Sequence, residues 1–279
     1  MKKNNKFEVV VLTDCRDTNA VSRLWVRTIH SFRKCGLEAQ ALVRGIAHEF
    51  EGALTLVDML EVAQYPSVFI VNCAPRDGKT TNGAPFGFCH FEGHLIVTTL
   101  GGYALSLLEK LAGKRDVRAL DLVKSAPLLT GRTAELHQMV QGQFRSMFFE
   151  PVAAAALAAG ETLPSSPWTD VPGMGNRVLF IDSIGGRKRV NVKTSLTLGD
   201  LESQDGEFEV TVNGHTEQGV RFYKGGLKTI PQDGLGLSPG SSGFHERGMT
   251  LLELQRGGLE FESAAETFGA SPGMEIKLK

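Results

Sequence analysis

The sequence predicts an α/β domain with a mostly parallel sheet, followed by a smaller antiparallel, barrel-like β domain. Three observations lead to this prediction. Apolar strand-like runs alternate with amphipathic helices over residues 7–71, as βαβ units require. A stretch rich in Pro, Ser and Gly covers 161–175, and beyond it the apolar period falls to two, which is typical of short antiparallel strands. We therefore expect domains at 1–160 and 176–279, joined by a linker at 161–175.

The first domain begins with a strand-helix-strand-helix-strand pattern. Residues 18–34 place Leu24 and Phe32 at helical spacing, and Gly36 follows as a stop signal. A second amphipathic segment is closed by Pro66, and the apolar run after it suits a strand that is buried on both faces. The predicted elements are strand 7–13, helix 18–34, strand 39–43, helix 51–63 and strand 67–71.

The rest of the chain changes character twice. A polar loop at 73–85 precedes a hairpin at 86–99, which we expect to turn at Glu92-Gly93. Further helices are predicted at 103–111, 133–149 and 151–159. The second domain is predicted to hold strands at 177–184, 188–196, 208–213, 219–223, 250–255 and 274–278.

Composition excludes several classes of function. The chain has 279 residues, 42% of them hydrophobic, and a net charge of -1 from 30 basic and 31 acidic residues. Such a balance gives no general attraction to polyanions, so neither nucleic acid nor a membrane is expected as a partner. No apolar run approaches the ~20 residues that span a bilayer, and the four cysteines lack C-x-x-C spacing. We expect a cytoplasmic protein.

Three motifs are weaker than they look. Gly78-Lys79-Thr80 lacks the glycine that a P-loop needs five residues earlier, where Cys73 stands. His90 and His94 have zinc-ligand spacing, but they flank a hairpin turn without further ligands, so a surface pair and no metal is expected. The segment 239–243 (PGSSG) lacks nucleophile-elbow spacing and predicts a tight loop that offers hydroxyl and N–H donors. Cys73 and Cys89 are expected to be small buried hydrophobes.

Asp14 is the first candidate binding residue. It stands at the carboxyl end of the first strand, where parallel sheets bind ligands, and an ionised carboxylate there can accept both hydroxyls of a ribose. A helix N-cap is the alternative role, although Asp17 or Thr18 could equally supply that cap. Both interpretations stay open from the residues alone.

Several segments, in the right order along the chain, resemble motifs of the S-adenosyl-L-methionine (SAM) hydroxide adenosyltransferases. That superfamily also holds the SAM-dependent fluorinase and chlorinase. Leu12-Thr13-Asp14 resembles the opening motif, and 144–160, ending in Leu-Ala-Ala-Gly, is similar to F-H-G-R-D…A-A-H-L-A-A-G. The other matching segments are 48–53 (HEFEGA), 179–185 (LFIDSIG), 240–244 (GSSGF), 252–254 (LEL) and 263–266 (SAAE).

The resemblance implies a SAM-binding protein that cleaves SAM to adenosine and methionine by attack of water at the ribose C5′. SAM would be substrate or ligand, with no separate cofactor. It also implies a homotrimer, with each site shared between the N-terminal domain of one subunit and the C-terminal domain of the next. The implied ligand-binding residues are Asp14 for the ribose hydroxyls, Phe50, Asp182 for the methionine amine, Ser241 for the methionine carboxylate, and Ser242.

The chain departs from that pattern where the family keeps its Asp-Arg-His set. Asn72 replaces the aspartate, Arg76 or Lys79 stands for the arginine, and Arg145 replaces the histidine. The asparagine of the family's F-G-N motif is Gly186. An amide and a permanent cation cannot act as a carboxylate and an imidazole do. Asn72, Arg145 and Ser146 are therefore expected to hold a water or halide by hydrogen bonding and charge; a non-catalytic SAM or adenosine binder is the alternative.

Overall fold

The computed structural model describes residues 6–74, 83–183, 190–258 and 263–279. The chain divides into two compact units, the first formed by Met1–Leu56 with Val62–Pro172 and the second by Val57–Glu61 with Gly173–Lys279. The first unit is of α/β type and the second is mostly β. No helix in the described ranges is long and apolar enough to cross a membrane.

The first unit is built on a mixed sheet. Its strands stand in the order β2-β1-β3-β5-β4-β6-β7. The pairs β2/β1, β1/β3 and β3/β5 are parallel, whereas β5/β4, β4/β6 and β6/β7 are antiparallel. The strands are β1 (Lys6–Thr13), β2 (Glu38–Gly45), β3 (Ser67–Asn72), β4 (Phe86–Phe91), β5 (His94–Thr99), β6 (Val117–Leu120) and β7 (Ser165–Trp168).

The prediction of a mostly parallel sheet is therefore wrong. The reason is that strands β6 and β7, which were not predicted, add two antiparallel pairs to the predicted hairpin, whose turn residues Glu92 and Gly93 have φ of 49° and 85°. A two-residue turn with positive φ at both positions forces its strands to run antiparallel, and β6 and β7 then add to the free edge of β4. Residues 165–168 of the predicted linker form β7, an edge strand in which Pro167 is tolerated.

The described residues between β1 and β7 form six helices: α1 (Thr18–Lys34), α2 (Glu49–Val62), α3 (Ser106–Ala112), α4 (Leu122–Leu129), α5 (Thr133–Val140) and α6 (Arg145–Ala158). The predicted helix at 133–149 is in fact two helices, and α6 continues through Pro151. Ala153 to Ala156 of α6 are buried, and α6 packs against α1, β3 and β5. The small alanine side chains let the helix lie close to the sheet.

The second unit holds a sheet that almost closes on itself, in the order β14-β10-β11-β12-β13-β9-β8. Only the short β11/β12 pairing is parallel among its described strand pairs. The two edges meet, because Val178 N donates to Met274 O at 2.9 Å and Ile276 N donates to Asn176 O at 2.8 Å. The elements are β8 (Val178–Ser183), β9 (Val190–Thr197), β10 (Glu207–Val212), β11 (His215–Phe222), β12 (Leu235–Phe244), β13 (Met249–Arg256), α7 (Ala264–Phe268) and β14 (Ile276–Leu278).

The segment 239–243, predicted as a tight loop, lies within β12. The register with β13 shifts between Pro239, opposite Leu252, and Gly243, opposite Thr250. Four steps along β12 therefore face two along β13, which makes the segment an irregular bulge inside a strand. The bulge keeps the PGSSG backbone out of the regular ladder.

Candidate functional site

The carboxyl ends of the parallel strands form a polar edge in the first unit. Thr13 and Asn72 are register partners on β1 and β3, and Asn72 Nδ2 donates to Thr13 Oγ1 at 3.2 Å. Thr99 ends β5, the next strand along the sheet. All three residues are buried. Sheets of this kind bind ligands beyond these strand ends, so the edge is the natural place for a site.

Asp14 lies directly beyond this edge. Its backbone N donates to Asn72 O at 3.1 Å, which fixes the turn after β1, and the residue is half-buried. Helix α1 is capped by Asp17, whose Oδ1 accepts from Ala20 N at 2.9 Å. The alternative role of Asp14 as the N-cap is thereby excluded. Its carboxylate lies just beyond the carboxyl end of β1 and lines a cleft there.

A cleft of about 100 Å³ opens beside Asp14, between it and the start of α2. His48 lines the cleft, and its ring stacks on Phe50 with centroids 5.1 Å apart and planes 13° apart. Phe50 packs in turn on Tyr103 at 4.6 Å and is 5% exposed. The structure thus places Phe50 beneath the cleft wall, and the ring available at the surface of the cleft is that of His48.

The three residues that were predicted to replace the family's catalytic set are not joined by hydrogen bonds in the described parts of the chain. Asn72 is bonded to Thr13, as above. The Arg145 guanidinium donates to Ala84 O at 3.2 Å and lies over the Phe86 ring at 5.4 Å. Ser146 is half-buried near the start of α6. Arg76, Lys79 and Gly186 lie outside the described residues, as does the Gly78-Lys79-Thr80 motif.

Glu150 is a residue of this edge that the sequence reasoning missed. It is 1% exposed; its Oε1 accepts from Thr99 Oγ1 at 3.1 Å, and its Oε2 has no hydrogen-bond partner in the described structure. Burial raises the pKa of Glu150 well above its ordinary value and the nearby Asp14 charge adds to that, although the Thr99 hydrogen bond opposes it. The carboxyl of Glu150 therefore favours its protonated form more than an ordinary carboxyl does, beside an edge that carries Asp14.

A signal for Glu150 was present in the sequence. It is the one charged residue between 146 and 160, in a segment otherwise made of apolar and small residues. A lone acid on the buried face of an apolar helix is costly unless it is neutral or hydrogen-bonded. Ser146 lies four residues earlier, so the two side chains share one face of α6.

The second unit holds a separate polar cluster around Lys193. Its Nζ donates to Ser241 Oγ at 3.2 Å and to Ser242 Oγ at 3.1 Å, and lies 3.7 Å from Glu253 Oε1. The predicted serines are thus brought together by one cation. Lys193 is register partner to Glu253 on β13, so the pairing of β9 with β13 brings both charges to this point.

Asp58 completes the cluster. Ser242 Oγ donates to its Oδ2 at 3.0 Å and Gly243 N donates to its Oδ1 at 3.3 Å. Burial raises the pKa of Asp58, while the Ser242 hydrogen bond and the Lys193 charge act against the rise. The bulge therefore binds a carboxylate, as the resemblance implied for Ser241, but that carboxylate belongs to the chain itself and is bound by Ser242 and Gly243.

Asp182 lies on a neighbouring part of the same sheet. It is half-buried on β8 and is register partner to Asn191 on β9. Strand alternation puts Asn191 and Lys193 on one face of β9, and Asp182 faces the same side as Asn191. The structure thus brings Asp182 to the Lys193 face of the sheet.

The histidine pair is only partly a surface pair. His90 is exposed, but His94 is 6% exposed and its Nδ1 accepts from Ser67 N at 3.2 Å. Burial lowers the pKa of His94. Cys73 and Cys89 are buried, which confirms that prediction, and burial raises the pKa of Cys89 to about 12.

Comparisons with known proteins show a similarity of fold. No protein-family model matches the chain, and no curated protein does. An uncharacterized conserved protein from Thermotoga maritima has a similar crystal structure, with a TM-score of 0.66 and 16% identity over 97% of this chain and 100% of that one. A conserved hypothetical protein from Thermus thermophilus gives a TM-score of 0.60 and 20% identity over 98% and 100%. The chain therefore shares a two-unit fold, along its whole length, with proteins of very different sequence.

Proposed function

We propose that this chain binds SAM, with the adenosine ribose held by Asp14, and cleaves it to adenosine and methionine. The observation that carries the proposal is the carboxylate of Asp14 at the carboxyl edge of β1, beside a cleft walled by the His48 ring and not used as a helix cap. A carboxylate accepts both hydroxyls of a diol, and a flat ring offers a face to a base.

The proposed reaction needs little acid or base catalysis from the protein. Water oxygen forms a bond to C5′ as the C5′–S bond breaks, and that electron pair leaves on sulfur as the neutral thioether of methionine. The attacking water loses one proton to solvent. Because a sulfonium leaves without protonation, the protein contributes mainly by aligning and desolvating the water. In this proposal Asn72, a buried amide at the strand edge, would hydrogen-bond that water.

A non-catalytic binder is the second candidate, and one observation favours it. Arg145 is engaged by Ala84 O and the Phe86 ring, so the cation expected to polarise water or halide is already occupied. In this form the edge would keep its affinity for adenosine or SAM without turnover. Attack by halide in place of water is weakened by the same contact, because the halide would need that positive charge.

A trimer belongs to this proposal. The donors of Ser242 and Gly243 hold Asp58 in the chain itself. Those donors are therefore already used. A methionine carboxylate could be bound only by Ser241 or after the bulge has rearranged. Light scattering on the purified chain measures the oligomer directly, and a monomer would remove the shared-site part of the proposal.

The function is tested by incubating purified protein with SAM and following adenosine by chromatography, with calorimetry alongside. Turnover supports the enzyme; binding without turnover supports the second candidate. Absence of both, with no thermal stabilisation by SAM, adenosine or methionine, refutes the proposal.

The role of Asp14 is tested with Asp14→Asn. Replacing a charge-assisted contact by a neutral one is expected to weaken adenosine binding by about 1–3 kcal/mol. Asp205→Asn is the matched control, since Asp205 is exposed in a turn of the second unit. Equal affinity of Asp14→Asn and the control would show that Asp14 does not hold the ribose.

A further inference from the structure

Helix α1 and the start of α6 border a second, larger cavity in the first unit, of about 510 Å³ and open to solvent. Its volume falls in the range of small-molecule sites, about 300–1,000 Å³. Val26, Met147 and Phe148 supply an apolar part of its lining. It shares no lining residue with the cleft at Asp14.

The lining is strongly cationic. Arg23, Arg27, His30 and Lys34 all line the cavity, and Arg132 reaches it from the start of α5. The four positions on α1 are spaced four, three and four residues apart, which stacks them on one face of the helix. Neighbouring like charges at this spacing destabilise a helix. The adjacent charges of Arg23 and Arg27 therefore do not themselves stabilise α1.

One carboxylate compensates one of these charges. Glu135 pairs with Arg27 and also accepts from Thr130 Oγ1 at 2.7 Å. Burial alone would raise the pKa of Glu135, but the Thr130 hydrogen bond and the charges of Arg27 and Lys34 outweigh it and lower that pKa. Glu135 is thus ionised, and its charge is already paired with Arg27. Arg23, Lys34 and Arg132 have no ion pair among the described residues.

The side chain of Arg27 is held in a fixed position in the cavity lining. Its guanidinium donates to Phe148 O at 2.9 Å and lies over the Phe148 ring at 5.3 Å. Its Nε is buried and has no acceptor in the described structure. A buried donor of this kind is costly when unmet. The fixed guanidinium and the aromatic ring beside it thus give the cavity a rigid wall next to its apolar surface.

We propose that this cavity is a binding site for a small organic anion, a phosphate monoester with a flat apolar group. The phosphate would be held by Arg23 and Arg132, with Lys34 adding charge, and the flat group would lie against Val26 and Phe148. Arginine suits this task because its planar fork matches phosphate oxygens.

The test is isothermal titration of the full chain with three probes at low ionic strength. The probes are 1-naphthyl phosphate, which has both features, inorganic phosphate, which has only the charge, and 1-naphthol, which has only the ring. We expect 1-naphthyl phosphate to bind at least about ten-fold tighter than either of the others, since charge and apolar contact act together. Added salt should weaken it, because the cationic side chains at the rim are exposed.

Variants assign the site. Arg23→Gln and Arg132→Gln each remove one exposed charge, so both should fold, and each is expected to weaken 1-naphthyl phosphate about ten-fold. Lys228→Gln is the matched control, because it removes the same charge from an exposed position outside the cavity. The proposal is overturned if the naphthyl phosphate binds no tighter than 1-naphthol, or if both arginine variants bind as the control does.

Discussion

Replacement of Glu150 by glutamine should change how the stability of the first unit depends on pH. Glutamine keeps the size and the acceptor for Thr99 but cannot titrate. In the folded protein the pKa of Glu150 is raised well above its ordinary value of 4.5, chiefly by burial. Between 4.5 and the folded pKa, the native state therefore holds a proton that the unfolded chain has released.

The magnitude follows from that one proton. Stability contributed by a neutral Glu150 is complete below its unfolded pKa and is lost as pH rises towards its folded pKa. Within this window, wild type should lose about 1.4 kcal/mol per pH unit relative to Glu150→Gln. The stability of the variant relative to wild type should therefore increase progressively as pH rises above about 5, whatever their order at the lower pH.

Tryptophan fluorescence in urea measures this in the right part of the molecule, because both tryptophans, Trp25 and Trp168, belong to the first unit. Glu38→Gln serves as control, since Glu38 is exposed at the start of β2. Parallel stability curves for wild type and Glu150→Gln across this range would refute the reasoning, because they would mean that Glu150 is ionised in the folded chain.

Four further outcomes are expected. Asp17→Ala should lower the stability of the first unit by about 1 kcal/mol through loss of the α1 cap, measured by urea unfolding, with Asp205→Asn as a neutral reference. Gly243→Ala should cost more than Gly248→Ala in thermal unfolding: a Cβ at 243 would meet Met249 O at 2.3 Å with φ +118°, whereas at 248 it meets nothing within 4 Å. An equal loss would contradict the clash. In alkylation followed by peptide mapping, Cys89 should stay unmodified in the folded chain, because it is buried and its pKa is about 12. Cys15, whose Sγ lies 3.7 Å from Asp14 Oδ1, should be protected by adenosine; unchanged labelling would place the nucleoside elsewhere.

The parts of the fold that the sequence predicted are those determined by local pattern. Helix α1 and the turn at Glu92-Gly93 follow from helical spacing and from a residue pair suited to positive φ. Strands β6 and β7 were missed because each has only four residues and takes its place from the edge it joins. Strand β12 was hidden by the Pro and Gly of its own bulge.

In the candidate site, too, the sequence predicted what local pattern determines and missed what tertiary contacts determine. Asp14 could be placed from the end of β1 alone, because any residue there reaches the ligand edge. Glu150 meets Thr99 across 51 positions of sequence, and Ser242 meets Asp58 across 184. No local pattern encodes such partners. The assignments of Arg145 and Phe50 depended on resemblance, and their packing on Phe86 and Tyr103 is decided by tertiary contacts.

The two sheets differ in how they end, and this matters for solubility. The margins of the second sheet bond to each other, whereas the first sheet ends at β2 and β7. Four-residue β7 contains Pro167, which cannot donate to an incoming chain. Eight-residue β2 has no such protection, and Leu42 is 53% exposed on it. Self-association at high concentration should therefore start along β2, where a lysine in place of Leu42 would oppose it.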